Sequence, residues 1–144
     1  MTKTHVDELD VELHDGSTVG LSLGGTLVTA TAAELNRMDQ QTAQALVADG
    51  AITVKNGVCT IAKTVAGVVA ATLADPTATT DDYKVLTIIN AQAQANTVTS
   101  ATSFGGGGAS YDIATFGAAI GGVLRLMAYQ GKWYVIGDFG VTLA

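Results

Sequence analysis

Apolar and acidic residues alternate at Leu9-Asp10-Val11-Glu12-Leu13, and the alternation returns at Val19-Gly20-Leu21-Ser22-Leu23 after the turn-like His14-Asp15-Gly16-Ser17. A period of two puts successive side chains on opposite faces of a strand, so this stretch predicts a β-hairpin arm with one apolar and one strongly acidic face. Gly24-Gly25 breaks the chain, and Thr31-Ala32-Ala33-Glu34 has the form of a capping box, in which the Thr oxygen accepts from the N3 amide and Glu34 reaches back to the cap amide. The spacing predicts one short α-helix over about 31–48, with Leu35, Met38, Thr42, Ala45 and Leu46 near one face and Asp49-Gly50 at its end. So few large apolar residues cannot hold a short helix in water, and it is expected to pack on the rest of the chain or on symmetry mates.

From Ala51 onward the period is that of strands. Ile52-Thr53-Val54, a Lys55-Asn56-Gly57 turn and Val58-Cys59-Thr60-Ile61 read as a hairpin, because Asn-Gly is the strongest short hairpin signal. Further strands are expected at 67–73, 84–89, 97–102, 111–116, 123–128 and 133–136, punctuated by Asp75-Pro76, Asp81-Asp82, Gly105 to Gly108, Gly117 to Gly122 and Gln130-Gly131. Strands at such spacing predict a mainly β chain, a small antiparallel sandwich or barrel, and no period of 20 to 50 residues points to a solenoid or propeller. The expected organisation is an arm over 1–25, a helical connector over 26–50 and a β-domain over 51–144.

Composition sharpens the picture. Of 144 residues, 48% are hydrophobic but only 6% aromatic, and 23 Ala, 20 Thr and 17 Gly make most of the apolar content small or β-branched. Such a core is thin, so association between copies is expected to supply part of the stability. The formal charge is -6, and the seven Lys and Arg are scattered from Lys3 to Lys132, which argues against a nucleic-acid partner. The most apolar run, Val65 to Leu73, is about half of the ~20 residues that a membrane-spanning helix needs, and the N-terminus lacks the layout of a secretory signal, so no membrane partner is expected and the chain reads as soluble and unexported.

Candidate chemistry is sparse. The single cysteine, Cys59, has the setting of an inert strand residue. His5 and His14 lie in the arm, near neither Cys59 nor a nucleophile turn, and no three ligands are fixed in one shell, so neither a catalytic triad nor a metal site is expected. Asp81-Asp82 reads as a turn and cap pair, since adjacent strand residues point to opposite faces and cannot act as paired glycosidase carboxylates. The Gly105 to Gly108 run lacks the Gly-Lys-Ser/Thr ending of a phosphate loop and precedes a strand, so it reads as a close-packed or flexible loop. A small hydrolase using Asp112 or Asp138 in a Gly-lined groove would rest on nothing more than the presence of these carboxylates. In Gly131-Lys132-Trp133-Tyr134-Val135-Ile136-Gly137 both faces carry sizeable apolar groups, which predicts a strand covered on both sides, with an aromatic sugar platform as the functional rival.

The segment Leu27-Val28-Thr29-Ala30-Thr31-Ala32-Ala33-Glu34-Leu35-Asn36-Arg37-Met38-Asp39 resembles one that recurs in structural proteins of tailed bacteriophages, often before a trimeric β-module. The later half is similar to those modules, through Ala66 to Pro76, Asp82-Tyr83-Lys84-Val85-Leu86-Thr87-Ile88-Ile89, Ala114-Thr115-Phe116 and the closing Gly131 to Ile136. The resemblance covers roughly two thirds of the chain and implies a virion structural protein; the small size points to a head decoration, or cement, protein.

It implies a homotrimer at positions where neighbouring capsomers meet, made in the host cytoplasm and located on the outer surface of the capsid, with the major capsid protein as partner. No enzyme activity and no cofactor are expected. The candidate capsid-binding arm comprises Val6, Leu9, Asp10, Val11, Glu12, Leu13 and Asp15, whose acidic face is either simply solvated or docks on a basic surface, charge then guiding encounter more than affinity. Candidate trimer or core residues are Leu35, Met38, Leu46, Trp133 and Val135. The alternative is a head- or tail-fibre component whose Trp133, Tyr134 and Tyr129 region contacts host surface glycan.

Overall fold

The computed structural model describes residues 22–23, 26–27, 42–53, 55–63, 65–106 and 108–144. The chain divides into two compact units, Met1–Asp39 and Gln40–Ala144. In the first, β1 (Ser22–Leu23) pairs antiparallel with β2 (Thr26–Leu27), so Gly24-Gly25 separates two paired strands. The earlier strand of the expected arm, the capping box, and the capsid-arm residues Val6, Leu9, Asp10, Val11, Glu12, Leu13 and Asp15 lie outside the described residues.

Among the described residues, the second unit contains ten strands: β3 (Thr42–Leu46), β4 (Gly50–Ile52), β5 (Gly57–Ile61), β6 (Ala70–Leu73), β7 (Val85–Asn90), β8 (Thr97–Gly106), β9 (Ala109–Phe116), β10 (Gly122–Tyr129), β11 (Lys132–Phe139) and β12 (Val141–Leu143). They form one hydrogen-bonded network, in two rows. One row runs β3-β5-β7-β10-β11 and the other β4-β6-β8-β9-β12, and β8 also bonds β11 through Trp133↔Phe104 and Tyr134↔Gly105. The result is a nearly closed, barrel-like sheet.

Three expectations are corrected. First, the helix over 31–48 does not run through its second half: residues 42–46 are strand β3, and among the described residues there is no helix. Thr42 to Leu46 gain a full parallel ladder with β5, from Thr42↔Gly57 to Leu46↔Ile61, and this tertiary pairing outweighs a spacing that suits a helix equally well. The strands therefore begin inside the expected connector, before residue 51.

Second, Asn56-Gly57 does not close a hairpin. β4 pairs with β6, and β5 pairs with β3 and β7, all in parallel. Gly57 has φ +134°, and a Cβ there would run into the Thr42 backbone carbonyl, so this glycine serves the close β3–β5 approach. Third, the sheet is mixed. Its parallel pairs are β3/β5, β5/β7, β4/β6, β6/β8 and β8/β11, while β7/β10, β10/β11, β8/β9 and β9/β12 are antiparallel. From β3 to β8 the chain alternates between the two rows, a parallel coil whose turns differ in length.

The core draws on both rows. Trp133, Phe104, Phe116, Ile52, Ile61, Leu73, Leu86, Ile88, Leu124, Leu126, Val69 and Val98 are its largest fully buried side chains. Alternation on β5 (Gly57, Cys59, Ile61), β7 (Leu86, Ile88, Asn90) and β10 (Gly122, Leu124, Leu126, Ala128) turns every second residue inward. The Trp133 indole N–H donates to the Ala74 carbonyl at 3.0 Å, which satisfies the one polar atom of that side chain.

Candidate functional site

The outward residues of the β3-β5-β7-β10-β11 row are mostly apolar or small. Register places Ala45, Thr60, Ile89, Val123 and Phe139 in one line across the five strands, and Ala43, Val58, Thr87, Arg125 and Gly137 in the next. Val85, Met127 and Tyr134 form a third line. Arg125 is the one charged residue of these three lines. The β-branched members shield one another and are half-buried, whereas Phe139 is 73% exposed. Strands β7 and β10 thus carry apolar side chains on both faces, the signature of strands meant to be covered on both sides.

Three tyrosines close one end of this face. Tyr83 and Tyr129 have ring centroids 5.6 Å apart, and Tyr129 and Tyr134 6.4 Å apart, both pairs tilted. Backbone geometry sets them out: Tyr83 (φ 67°) and Gln130 (φ 48°) are non-glycine residues in left-handed conformations. The Gln130 amide donates to Asp82 Oδ1 at 2.7 Å, and the Tyr83 amide to the Ala128 carbonyl at 2.8 Å. Gly105 lies under Tyr134, whose ring would meet any Cβ there at 2.9 Å. The Gly-rich run is thus the end of the β8–β9 hairpin, with Gly105↔Ser110 and Gly106↔Ala109 as its last pairs.

Beside the tyrosines, Asp81 ties the 74–84 loop down. Its Oδ2 accepts from Lys55 Nζ and the Thr77 amide, and Oδ1 from Lys84 Nζ, all at 2.7 Å. Burial pushes this carboxyl up, but the hydrogen bonds from Lys55, Lys84 and Thr77 and the Lys55 charge outweigh it and hold the group well below the ordinary carboxylate range. Asp81 and Asp82 therefore act in loop and turn capping. Cys59 is fully buried on β5, and burial pushes its thiol up to about 11, so it carries no thiolate at neutral pH.

At the other end of the strands, Asn90 and Asn96 form a buried network that the sequence did not announce. Asn96 Nδ2 donates to Asn90 Oδ1 at 2.7 Å, and Asn96 Oδ1 accepts from the Val69 amide and Gln92 Nε2. Asn90 Nδ2 reaches the carbonyls of Gln94, Gly117 and Ala119. These are connector bonds between loops, and the only available signal was polar Asn at an inward position of a strand pattern.

Of the candidate trimer or core residues, Leu46 and Trp133 lie in the core, Val135 packs against it, and Leu35 and Met38 lie outside the described residues. The Trp133 strand is not covered on both sides as expected: Tyr134 is 37% and Ile136 45% exposed. Asp112 and Asp138 are exposed on β9 and β11 and are not brought into a groove with a partner acid. Among the described residues, no three His, Cys, Asp or Glu side chains are grouped to hold a metal, and no helix is long and apolar enough to cross a membrane. Neither the known protein families nor the curated proteins give a match to this chain.

Proposed function

We propose that this chain is a structural virion protein, a bacteriophage head decoration protein that acts by binding and not by catalysis. In this reading it binds as a homotrimer where capsomers meet, on the outer surface of the capsid, with the major capsid protein as partner and with no nucleic-acid, membrane or cofactor requirement. The observation that carries it is the broad, nearly uncharged outer face of the β3-β5-β7-β10-β11 row, which gives a small chain a means of self-association. The resemblance of 27–39 and of the later strands to phage structural modules supports the virion setting.

Mechanically, three chains joined to one another present three arms, Val6 to Leu23, to the shell. Modest contacts from each then multiply through effective concentration and oppose the loss of capsomers. The test is light scattering on the purified protein followed by co-sedimentation with undecorated capsids. A species at three times the 14.6 kDa chain mass that pellets with capsids is the expected result. Replacing Asp10, Glu12 and Asp15 with Ser is expected to lower capsid occupancy, and unchanged occupancy overturns the arm assignment.

The tyrosine group favours a second reading, a head- or tail-fibre component that contacts host glycan, because exposed aromatic faces edged by Gln130 and Lys132 suit stacking on a sugar ring. Trp133 is fully buried and cannot stack on a sugar, so the test falls on the exposed ring: binding on a glycan array that disappears in folded Tyr83→Ala protein would support it. An array without signal for the intact protein removes it.

A further inference from the structure

We infer that the outer face of the β3-β5-β7-β10-β11 row is the surface through which copies of this chain meet. This rests on the homotrimer reading and adds to it the face that does the work. The centre of the surface is Val58, Val85, Ile89, Val123 and Met127, with Arg125 among them.

Three considerations select a second copy as the occupant. The first is area. Five strands about 4.8 Å apart and outward side chains repeating every ~6.8 Å give a face of roughly 400 Å² in projection. That is within the range of the largest apolar patches on monomers, and about half of the ~800 Å² each partner contributes to a standard interface, so it suits an interface core to which the rim adds. The rim is at hand: the tyrosines at one end and Phe139 at the other supply aromatic anchors of the kind that dominate association.

The second is charge. An oppositely charged partner needs charges to recognise, and the central lines of the face offer Arg125 alone, with Gly137 opposite it across β10–β11 leaving room for its side chain to turn aside. A lipid surface calls for several free flanking cations, and of those beside this face Lys55 and Lys84 are held by Asp81, which leaves only Arg125 and Lys132. A neutral face meets its own copy with no other like charges in contact. The third is shape. The face is an outer sheet surface and not a concavity, which removes a small apolar ligand as its occupant. Three such faces turned toward a common axis let each chain touch both neighbours, as closed symmetry requires.

The experiment uses the full chain and three variants, Ile89→Lys, Phe139→Lys and Thr99→Lys. The last sits on the outer face of the other row, where Thr99 pairs with Ile113 and Thr72. All three positions are outward, so circular dichroism and melting are expected to show folded protein. Light scattering is expected to give an oligomer for wild type and Thr99→Lys, and the 14.6 kDa monomer for Ile89→Lys and Phe139→Lys. If wild type and both face variants are all species of three times the 14.6 kDa chain mass, this surface assignment is wrong while the homotrimer reading stands. If wild type is a monomer at every concentration, the homotrimer reading fails and this inference with it. A monomeric wild type whose melting temperature falls sharply in Ile89→Lys assigns the face to another segment of the same chain and overturns the proposal.

Discussion

Asp81 shows how much one side chain can organise. It is 4% exposed, yet it holds two lysines and one backbone amide, so the 74–84 loop, the 55–56 turn and the start of β7 share one anchor. Its carboxyl is held below the ordinary value of about 3.9, so its contribution is complete above about pH 4 and is lost as pH falls through the lowered folded-state value. Asp81→Asn is expected to destabilise by about 2 kcal/mol at pH 7, a figure kept modest because both lysines are about one third exposed. Urea titrations should show that gap closing as pH drops below about 4. Asn96→Ala leaves the Val69 amide and Asn90 Oδ1 without their partner, and about 3 kcal/mol is expected to be lost. Ser100 is the contrast: its buried hydroxyl has no partner, so Ser100→Ala is expected to be neutral or slightly stabilising in the same titrations.

Strand β3 shows what local patterns can and cannot specify. The strong alternations of β7 and β10 were legible as strands, because Leu86, Ile88, Leu124 and Leu126 turn inward at a clean period of two. Thr42-Ala43-Gln44-Ala45-Leu46 has no such contrast, and its small residues suit a helix as well as a strand. What decides is the β5 edge, and the Gln44 side chain adds bonds to the Ala51 carbonyl and the Thr53 amide that only the extended form can make. The same holds for Asn56-Gly57, where the local turn signal is real but the partners of β4 and β5 lie far along the chain. Asp82 and Gln130 were visible as turn formers, while their convergence depends on the 48-residue separation closed by the Asp82–Gln130 bond, and the left-handed Tyr83 beside them carried no turn signal. Hydrogen exchange is expected to show slow amides on β5 and β7, and Gln44→Pro, which removes an amide on the β5-facing side of β3, where the Thr42 amide and the Leu46 carbonyl also bond, is expected to cost about 3 kcal/mol or more. A helix at this position would show protection in 42–46 that survives disruption of β5 by Thr60→Pro.

For the whole molecule, charge is distributed as unevenly as apolar surface. Residues 1–41 hold Lys3 and Arg37 against seven acids, a net of -5, and residues 42–144 hold five cations against six acids, a net of -1. The β-domain is close to neutral and the acidic character belongs to the N-terminal segment, which fits a division between a body that meets its own copies and an arm that meets a basic surface. The proposed self-association would tie stability to concentration, so the melting temperature is expected to rise with protein concentration in differential scanning calorimetry, and a constant value would argue against it.

The winding of β3 to β8 between the two rows has a kinetic side. Each parallel neighbour in either row becomes available only after the chain has visited the other row, so neither row can be completed while the other is absent. The barrier to folding is then set by long loops closed before their contacts reward them, which places refolding in the slow, milliseconds-to-seconds range and makes both rows appear and disappear together.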